Sequence, residues 1–244
     1  MQRTADRYPE LAVLLAAGLG KRLLPFTKRT PKAMLQSGGR SLIQYAFNAL
    51  MHTRIKKVVL VTGYLEDQII RYSTERFSDA FDLMFCHQPV LNGSAGALKC
   101  AADVVEKENV AYFLISATDY KVPLHYFQSF IRFHINGGQD VSIAMRSVSA
   151  DKAKESNLTI LDRDNSIVFI SEKPTGALAH QSYAAAYLLY IVPVQCLGYM
   201  HRLRLSGRGE YELPDVINEM IAQNVSVKGY FGDTFDDWEQ SYRS

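Results

Sequence analysis

The feature that most constrains the fold is the run Leu11-Ala-Val-Leu-Leu-Ala16, closed two residues later by Gly18. Six consecutive apolar residues ending at a turn glycine suit a strand covered on both faces, as in the middle of a parallel sheet. The rhythm recurs downstream. Ser41 stands as N-cap before a helical pattern (Leu42, Tyr45, Ala46, Ala49, Leu50), and Lys57–Thr62 reads as the next strand. The alternation continues with helices near 66–74, 94–107 and 124–134 and strands over 82–87, 110–116 and 140–146. Such a succession predicts an α/β fold with a mostly parallel sheet and helices on both faces. After Arg146 the rhythm changes. Segments 158–161 and 167–170 flank Asp162-Arg-Asp-Asn165 and predict a small β-hairpin. A strand over 185–192, helices over 193–203 and 212–223 and a strand over 225–231 follow.

At 244 residues, 48% of them hydrophobic, the chain is long enough for a full core, and residues 1–244 read as one domain. The net charge of +2 hides a split. Between Leu11 and Leu65 there are nine Lys and Arg and no Asp or Glu, so the remainder carries −7. A positive zone tied to an acidic remainder suits small anions, and no basic surface interleaved with aromatics speaks for nucleic acid. Cysteines 86, 100 and 196 are odd in number and form no CxxC, so free thiols in a reducing compartment are expected. The polar start, Met1 to Glu10, lacks a secretory h-region. No apolar run approaches the ~18 residues of a membrane span. The expected location is cytoplasmic, with no membrane partner and with homo-oligomerisation left open.

The sharpest segment runs from Leu15 to Leu35. Gly18 and Gly20, directly after the first strand, permit positive φ and bring backbone N–H groups close to a phosphate. The segment is not a P-loop, because Arg22 follows Lys21 where Ser or Thr is required. It is not a dinucleotide fingerprint, because Leu23 stands where the third glycine would be. Pro25 and Pro31 are expected to stiffen an extended loop carrying Arg22, a planar fork for phosphate oxygens, and Lys32, a mobile point charge.

This segment resembles the signature of the sugar-1-phosphate nucleotidylyltransferases, the pyrophosphorylases that make nucleoside-diphosphate sugars. Ala16, Ala17, Gly18, Gly20, Arg22, Leu23, Pro25, Thr27, Pro31, Lys32 and Leu35 all match. The resemblance implies a Rossmann-like nucleotidyltransferase fold in three layers, with about 1–120 as the nucleotide-binding half and about 121–244 as the sugar-phosphate half. It implies that Ala16, Ala17, Gly18 and Gly20 wrap a nucleoside triphosphate, and that Arg22 and Lys32 act on its phosphates. Gln88-Pro89 followed by Gly93-Ser94-Ala95-Gly96 is similar to the segment that reads the base, through Gln88 and Gly93. Asp119, closing Phe113-Leu-Ile-Ser-Ala-Thr, resembles the first Mg2+-binding aspartate, although Thr118 stands where the family has Gly or Pro. Glu172-Lys173-Pro174 matches the pair that contacts sugar hydroxyls and sugar phosphate. Tyr211-Glu-Leu-Pro-Asp-Val-Ile-Asn218 resembles a scaffold helix. The second metal aspartate is assigned to Asp233, with Asp236 as the alternative.

The implied reaction joins a sugar 1-phosphate to a nucleoside triphosphate and releases pyrophosphate, with Mg2+ as cofactor. The phosphomonoester oxygen is already nucleophilic at neutral pH, and the six histidines form no triad or HExxH. The demand is to align two polyanions and stabilise charge on the leaving group. Two rivals remain at this stage. One is a CTP-dependent cytidylyltransferase for phosphocholine or another non-sugar phosphate, with Tyr183, Tyr187 and Tyr190 as candidate cage aromatics. The other is a regulatory relative that binds without turnover.

Overall fold

The computed structural model describes residues 7–172, 174, 182–233 and 242; Lys173 and Asp236 lie outside them. The first apolar run forms β1 (Leu11–Leu15), paired in parallel with β4 (Lys57–Thr62) on one side and β6 (Tyr112–Ala117) on the other. Because side chains alternate across a strand, β1 feeds two cores. Leu11 and Val13 enter one, Ala12 and Leu14 the other, and all four are at most 1% exposed.

Between β1 and β4 the chain makes a two-residue ladder, β2 (Gln36–Ser37) with β3 (Arg40–Ser41), and then α1 (Leu42–Met51). The next units are α2 (Glu66–Phe77), β5 (Asp82–His87) and α3 (Ser94–Lys107). After β6 come α4 (Leu124–Gly137), β7 (Val141–Ser149), the short α5 (Ala150–Glu155) and the hairpin β8 (Asn157–Leu161) and β9 (Ile167–Glu172). The remainder is β10 (Ser182–Pro193), α6 (Cys196–Tyr199), α7 (Leu213–Ala222) and β11 (Val227–Phe231). The main sheet runs β11-β7-β10-β6-β1-β4-β5, with the hairpin attached beside β10. β10 is antiparallel to both of its sheet neighbours; β1, β4, β5, β6, β7 and β11 share one direction. Buried residues of α1, α2 and α4 pack on one face and those of α3, α6 and α7 on the other. The α/β sandwich with a mixed, mostly parallel sheet and a small hairpin is therefore the architecture seen.

Local departures have local causes. Ser41 precedes α1 as expected, but its hydroxyl donates to the Tyr72 hydroxyl (3.0 Å) instead of capping the helix. The helix expected over 193–203 splits into α6 and a 3-10 turn, Met200–Arg202. At the hairpin tip, Asp162 Oδ1 accepts from the N–H groups of Asp164 and Ser166 (both 2.9 Å), and Asn165 takes φ 58°. That side chain closes the turn where the sequence placed it.

His134 locks α4 to β7. It is fully buried, its Nδ1 lies 2.9 Å from the Ser142 hydroxyl, and Gln139 Nε2 donates to the same oxygen at 2.7 Å. Burial, reinforced by the Arg7 charge, pushes its pKa down to about 3. An unfolded histidine titrates near 6.5, so the folded form is favoured above that pH and loses its advantage as pH falls towards 3. Denaturant unfolding between pH 7 and pH 4 is expected to show a stability loss of up to about 1.4 kcal/mol per pH unit from this residue. His134→Gln should remove that part of the slope.

Candidate active site

Six parallel strands end on the same edge of the sheet, and the loops that leave this edge build a cavity of about 430 Å³. Ligand sites of α/β sheets form at this edge because strand ends and the following turns leave backbone groups unpaired there. Ala16 and Ala17 leave β1 and are fastened to β4: Ala16 N–H donates to the Val61 carbonyl (2.8 Å) and Tyr64 N–H to the Ala17 carbonyl (3.2 Å). The chain then turns through Gly18 and Gly20 along the cavity wall.

The two glycines differ in what they do. Gly20 sits at φ +66°, and a Cβ there would come within 2.9 Å of Thr27 Cγ2 and 3.2 Å of Lys32 Cβ. Thr27, fully buried, donates from its hydroxyl to the Gly20 carbonyl (3.0 Å). Gly18 does not take positive φ, and a Cβ there would meet no atom of the chain within 4 Å. Its smallness leaves room in the cavity and is not needed by the backbone.

Downstream the segment is a series of 3-10 turns, Lys21–Leu23, Phe26–Lys28 and Lys32–Met34, where an extended loop was expected. Successive residues of such a turn point about 120° apart. Leu23 is buried with Leu35 and Leu42, Lys21 lines the cavity, and Arg22 is left exposed outside the lining. Lys32 points inward. Its Nζ lies 2.6 Å from Oδ2 of Asp119, which leaves β6 at the cavity wall, with side-chain exposures of 16% and 26%. Thr118, in the expected Gly or Pro position, is buried, and its hydroxyl donates to the Leu15 carbonyl (3.2 Å), tying the ends of β6 and β1. Burial, reinforced by the Asp119 charge, pushes the Tyr120 hydroxyl up to about 12, which keeps it neutral beside that carboxylate.

The far wall is the loop after β5. Gln88 is 4% exposed; its N–H donates to the Thr62 carbonyl (2.8 Å) and its Nε2 to Asn92 Oδ1 (3.1 Å) and the Gly93 carbonyl (3.3 Å). Gly93 takes φ +103°, and a Cβ there would lie 2.4 Å from the Tyr211 carbonyl. That contact comes with a seam. Ala95 N–H donates to the Tyr211 carbonyl (2.9 Å), Tyr211 N–H to the Asn92 carbonyl (2.7 Å) and Leu213 N–H to the Ser94 hydroxyl (2.9 Å). The segment read as scaffold thus splints the Gln88–Ser94 loop, and Glu210, the residue before it, joins the cavity lining.

The structure therefore gathers Ala16, Ala17, Gly18, Gly20, Lys32, Gln88, Gly93 and Asp119 around one space. Arg22, Glu172 and Asp233 do not line it. Glu172 ends β9 within 3.9 Å of Arg208, whose guanidinium also meets Glu210 (3.2 Å) and bonds the buried Glu212. Asp233 follows β11, at the same edge, and pairs with His125 on the first turn of α4 (3.1 Å), both largely exposed. Tyr187 and Tyr190 are core residues, 2% exposed each, on opposite faces of β10. They are unavailable as a cage for a quaternary ammonium group. Arg208 and Glu210 were not singled out from the sequence; the signal was an Arg-Gly-Glu run beside the scaffold helix, uninformative until the Gly93 contact is seen.

Fold and site together define an α/β protein with a cavity lined by a glycine turn, a lysine and a carboxylate at the C-terminal edge of its sheet. The nucleotidyl transferase family model matches residues 11–239, and the chain belongs to that family. It is 26% identical over 232 residues to the bifunctional protein GlmU of Methanococcus aeolicus, covering 93% of this chain and 52% of that protein. It is 24% identical over 216 residues to the UTP–glucose-1-phosphate uridylyltransferase AglF of Haloferax volcanii, covering 88% and 85%. The chain spans about half the length of the GlmU relatives it matches. A crystal structure of UDP-glucose pyrophosphorylase complexed with UDP-glucose shares the fold, with a TM-score of 0.83 at 18% identity over 96% of this chain and 95% of that one.

The two glycines of the turn predict opposite outcomes. Gly20→Ala is expected to lower unfolding free energy by about 1–3 kcal/mol through left-handed strain and the Thr27 contact. Gly18→Ala should change it by less than about 0.5 kcal/mol. Chemical denaturation of both variants checks the contrast.

Proposed function

We propose that the protein transfers a nucleotidyl group from a nucleoside triphosphate to a sugar 1-phosphate, giving a nucleoside-diphosphate sugar and pyrophosphate. The observation that carries this reading is the Lys32–Asp119 pair at 2.6 Å, on the wall of a cavity also bounded by the Gly18–Gly20 turn and by Gln88. In this reading Ala16, Ala17, Gly18 and Gly20 offer backbone and space to the triphosphate, and Gln88 and Gly93 meet the base. Lys32 binds the reacting phosphates, and Arg22, on the outer side of its 3-10 turn, holds those that extend from the cavity. Glu172 and Lys173 take the sugar and its phosphate. About 1–120 would serve the nucleotide and about 121–244 the acceptor.

The acceptor's phosphate oxygen needs no base to become a nucleophile, so these residues act by alignment and by screening the repulsion between two anions. A divalent cation, Mg2+ in this reading, fits Asp119. The carboxylate is a hard oxygen donor at the cavity wall, and Mg2+ takes one or two protein carboxylates with waters and phosphate oxygens. Asp233 is the second proposed donor. When bound, the ion would offset charge on the phosphates and on the departing pyrophosphate. Among the described residues no helix is long and apolar enough to cross a membrane, and burial pushes the three free thiols above their usual range. The proposed setting is cytoplasmic.

A panel of nucleoside triphosphates against several sugar 1-phosphates and phosphocholine, read by Mg2+-dependent pyrophosphate release, tests the reading. Turnover is expected with a sugar 1-phosphate and not with phosphocholine. Lys32→Ala, Arg22→Ala and Asp119→Asn should each lower turnover by about 100-fold or more, with circular dichroism unchanged. Near wild-type release by the Asp119→Asn enzyme would overturn it.

A further inference from the structure

We propose that Asn157 and Asn218 are positioning residues that hold the β8–β9 hairpin in the setting at which Glu172 meets the acceptor; the proposal rests on the role given to Glu172 above. Each carboxamide binds both backbone groups of one residue. Asn218 Nδ2 on α7 donates to the Ile170 carbonyl (2.8 Å), and Ile170 N–H donates to Asn218 Oδ1 (2.9 Å). Asn157 Nδ2 donates to the Ala186 carbonyl (2.9 Å), and Ala186 N–H donates to Asn157 Oδ1 (2.7 Å). The two bonds exchanged by a close pair of antiparallel residues are reproduced in each case by a side chain.

The hairpin's ladder to the main sheet is thin, and its tip is tied to β11 only at the end opposite Glu172, by an isolated Ser166–Lys228 bridge and a Gly229 N–H bond to the Asn165 carbonyl (2.9 Å). β8 meets β10 through the single pair Thr159 and Ala184, and β9 pairs with β8 alone among the described strands. β6 pairs with β10 from Leu189 onward, so at Ala186 that edge is served by the Asn157 side chain. Both clamps converge on one residue. Asn157 is the cross-strand partner of Glu172, and Ile170 lies two residues before Glu172 on β9. Asn157 is 8% exposed and Ile170 1%, so a lost partner there leaves a buried backbone group unsatisfied.

The test compares Asn157→Asp, Asn218→Asp and Glu172→Gln in the full chain. Asp keeps the shape and removes the donor, setting a carboxylate against a backbone carbonyl. Each Asn→Asp variant is expected to raise the acceptor KM about tenfold, to leave the triphosphate KM within about twofold, and to speed hydrogen exchange at the Ile170 or Ala186 amide. Glu172→Gln should raise the acceptor KM and leave that exchange unchanged. If an Asp variant does not fold, Asn→Ser at the same position supplies the comparison, since it retains one hydrogen-bonding atom. An unchanged acceptor KM in Glu172→Gln overturns the role of Glu172 itself. A raised KM in Glu172→Gln, with none in the asparagine variants or with both substrate KM values rising together, overturns the positioning role alone.

Discussion

Everything at the site depends on β1 being paired in parallel on both sides and covered on both faces. A strand in that position fixes its neighbours' direction, so β4, β5 and β6 deliver their ends to the edge at which β1 stops. The Gly18–Gly20 turn, the Gln88 loop and Asp119 are the continuations of those ends. Had one of them reversed, its loop would have emerged on the far side of the sheet. Leu11 to Leu14 have no polar atom beyond the backbone, and that backbone is satisfied by both neighbours, so the arrangement tolerates complete burial.

The other half of the site is organised by hydrogen bonds more than by strand direction. Tyr211 and Leu213 are sewn to Asn92, Ser94 and Ala95, and α7, which begins at Leu213, reaches Ile170 through Asn218. One short stretch of chain thus touches both the Gln88–Ser94 loop and the β8–β9 hairpin. Arg208 sits between them among three carboxylates. Burial works against its charge, but the bond and charge of Glu212, with Glu210 and Glu172, raise its pKa above the usual value.

The strands were legible because their apolar runs are long and punctuated, and several boundaries, such as Lys57–Thr62, Asp82–His87 and Ser94–Lys107, coincide with the pattern. α5 was not legible: Ala150–Glu155 is a single short stretch whose Ser149 cap has meaning only once the turn exists. Cavity residues could be named in order along the chain, since glycines, prolines and cations cluster in one segment. Their directions could not. The outward turn of Arg22 follows from the burial of Leu23 against Leu35 and Leu42, a contact between distant positions. Gly93 reads locally as a helix start, whereas its need for glycine comes from Tyr211, more than a hundred residues away. Asn157 carries no local signal, and Asn218 only closes the run that resembles a scaffold helix, because an asparagine that completes a ladder looks in sequence like any other.

The Lys32–Asp119 pair has a consequence beyond holding two side chains in place. In the resting cavity Lys32 and Asp119 already oppose one another, partly shielded from water. A phosphate that claims the lysine leaves a carboxylate in need of another cation, so attraction alone does not decide what binds. Selection falls on ligands able to complete an exchange of partners, and the pair turns a general pull on anions into a test of what accompanies them.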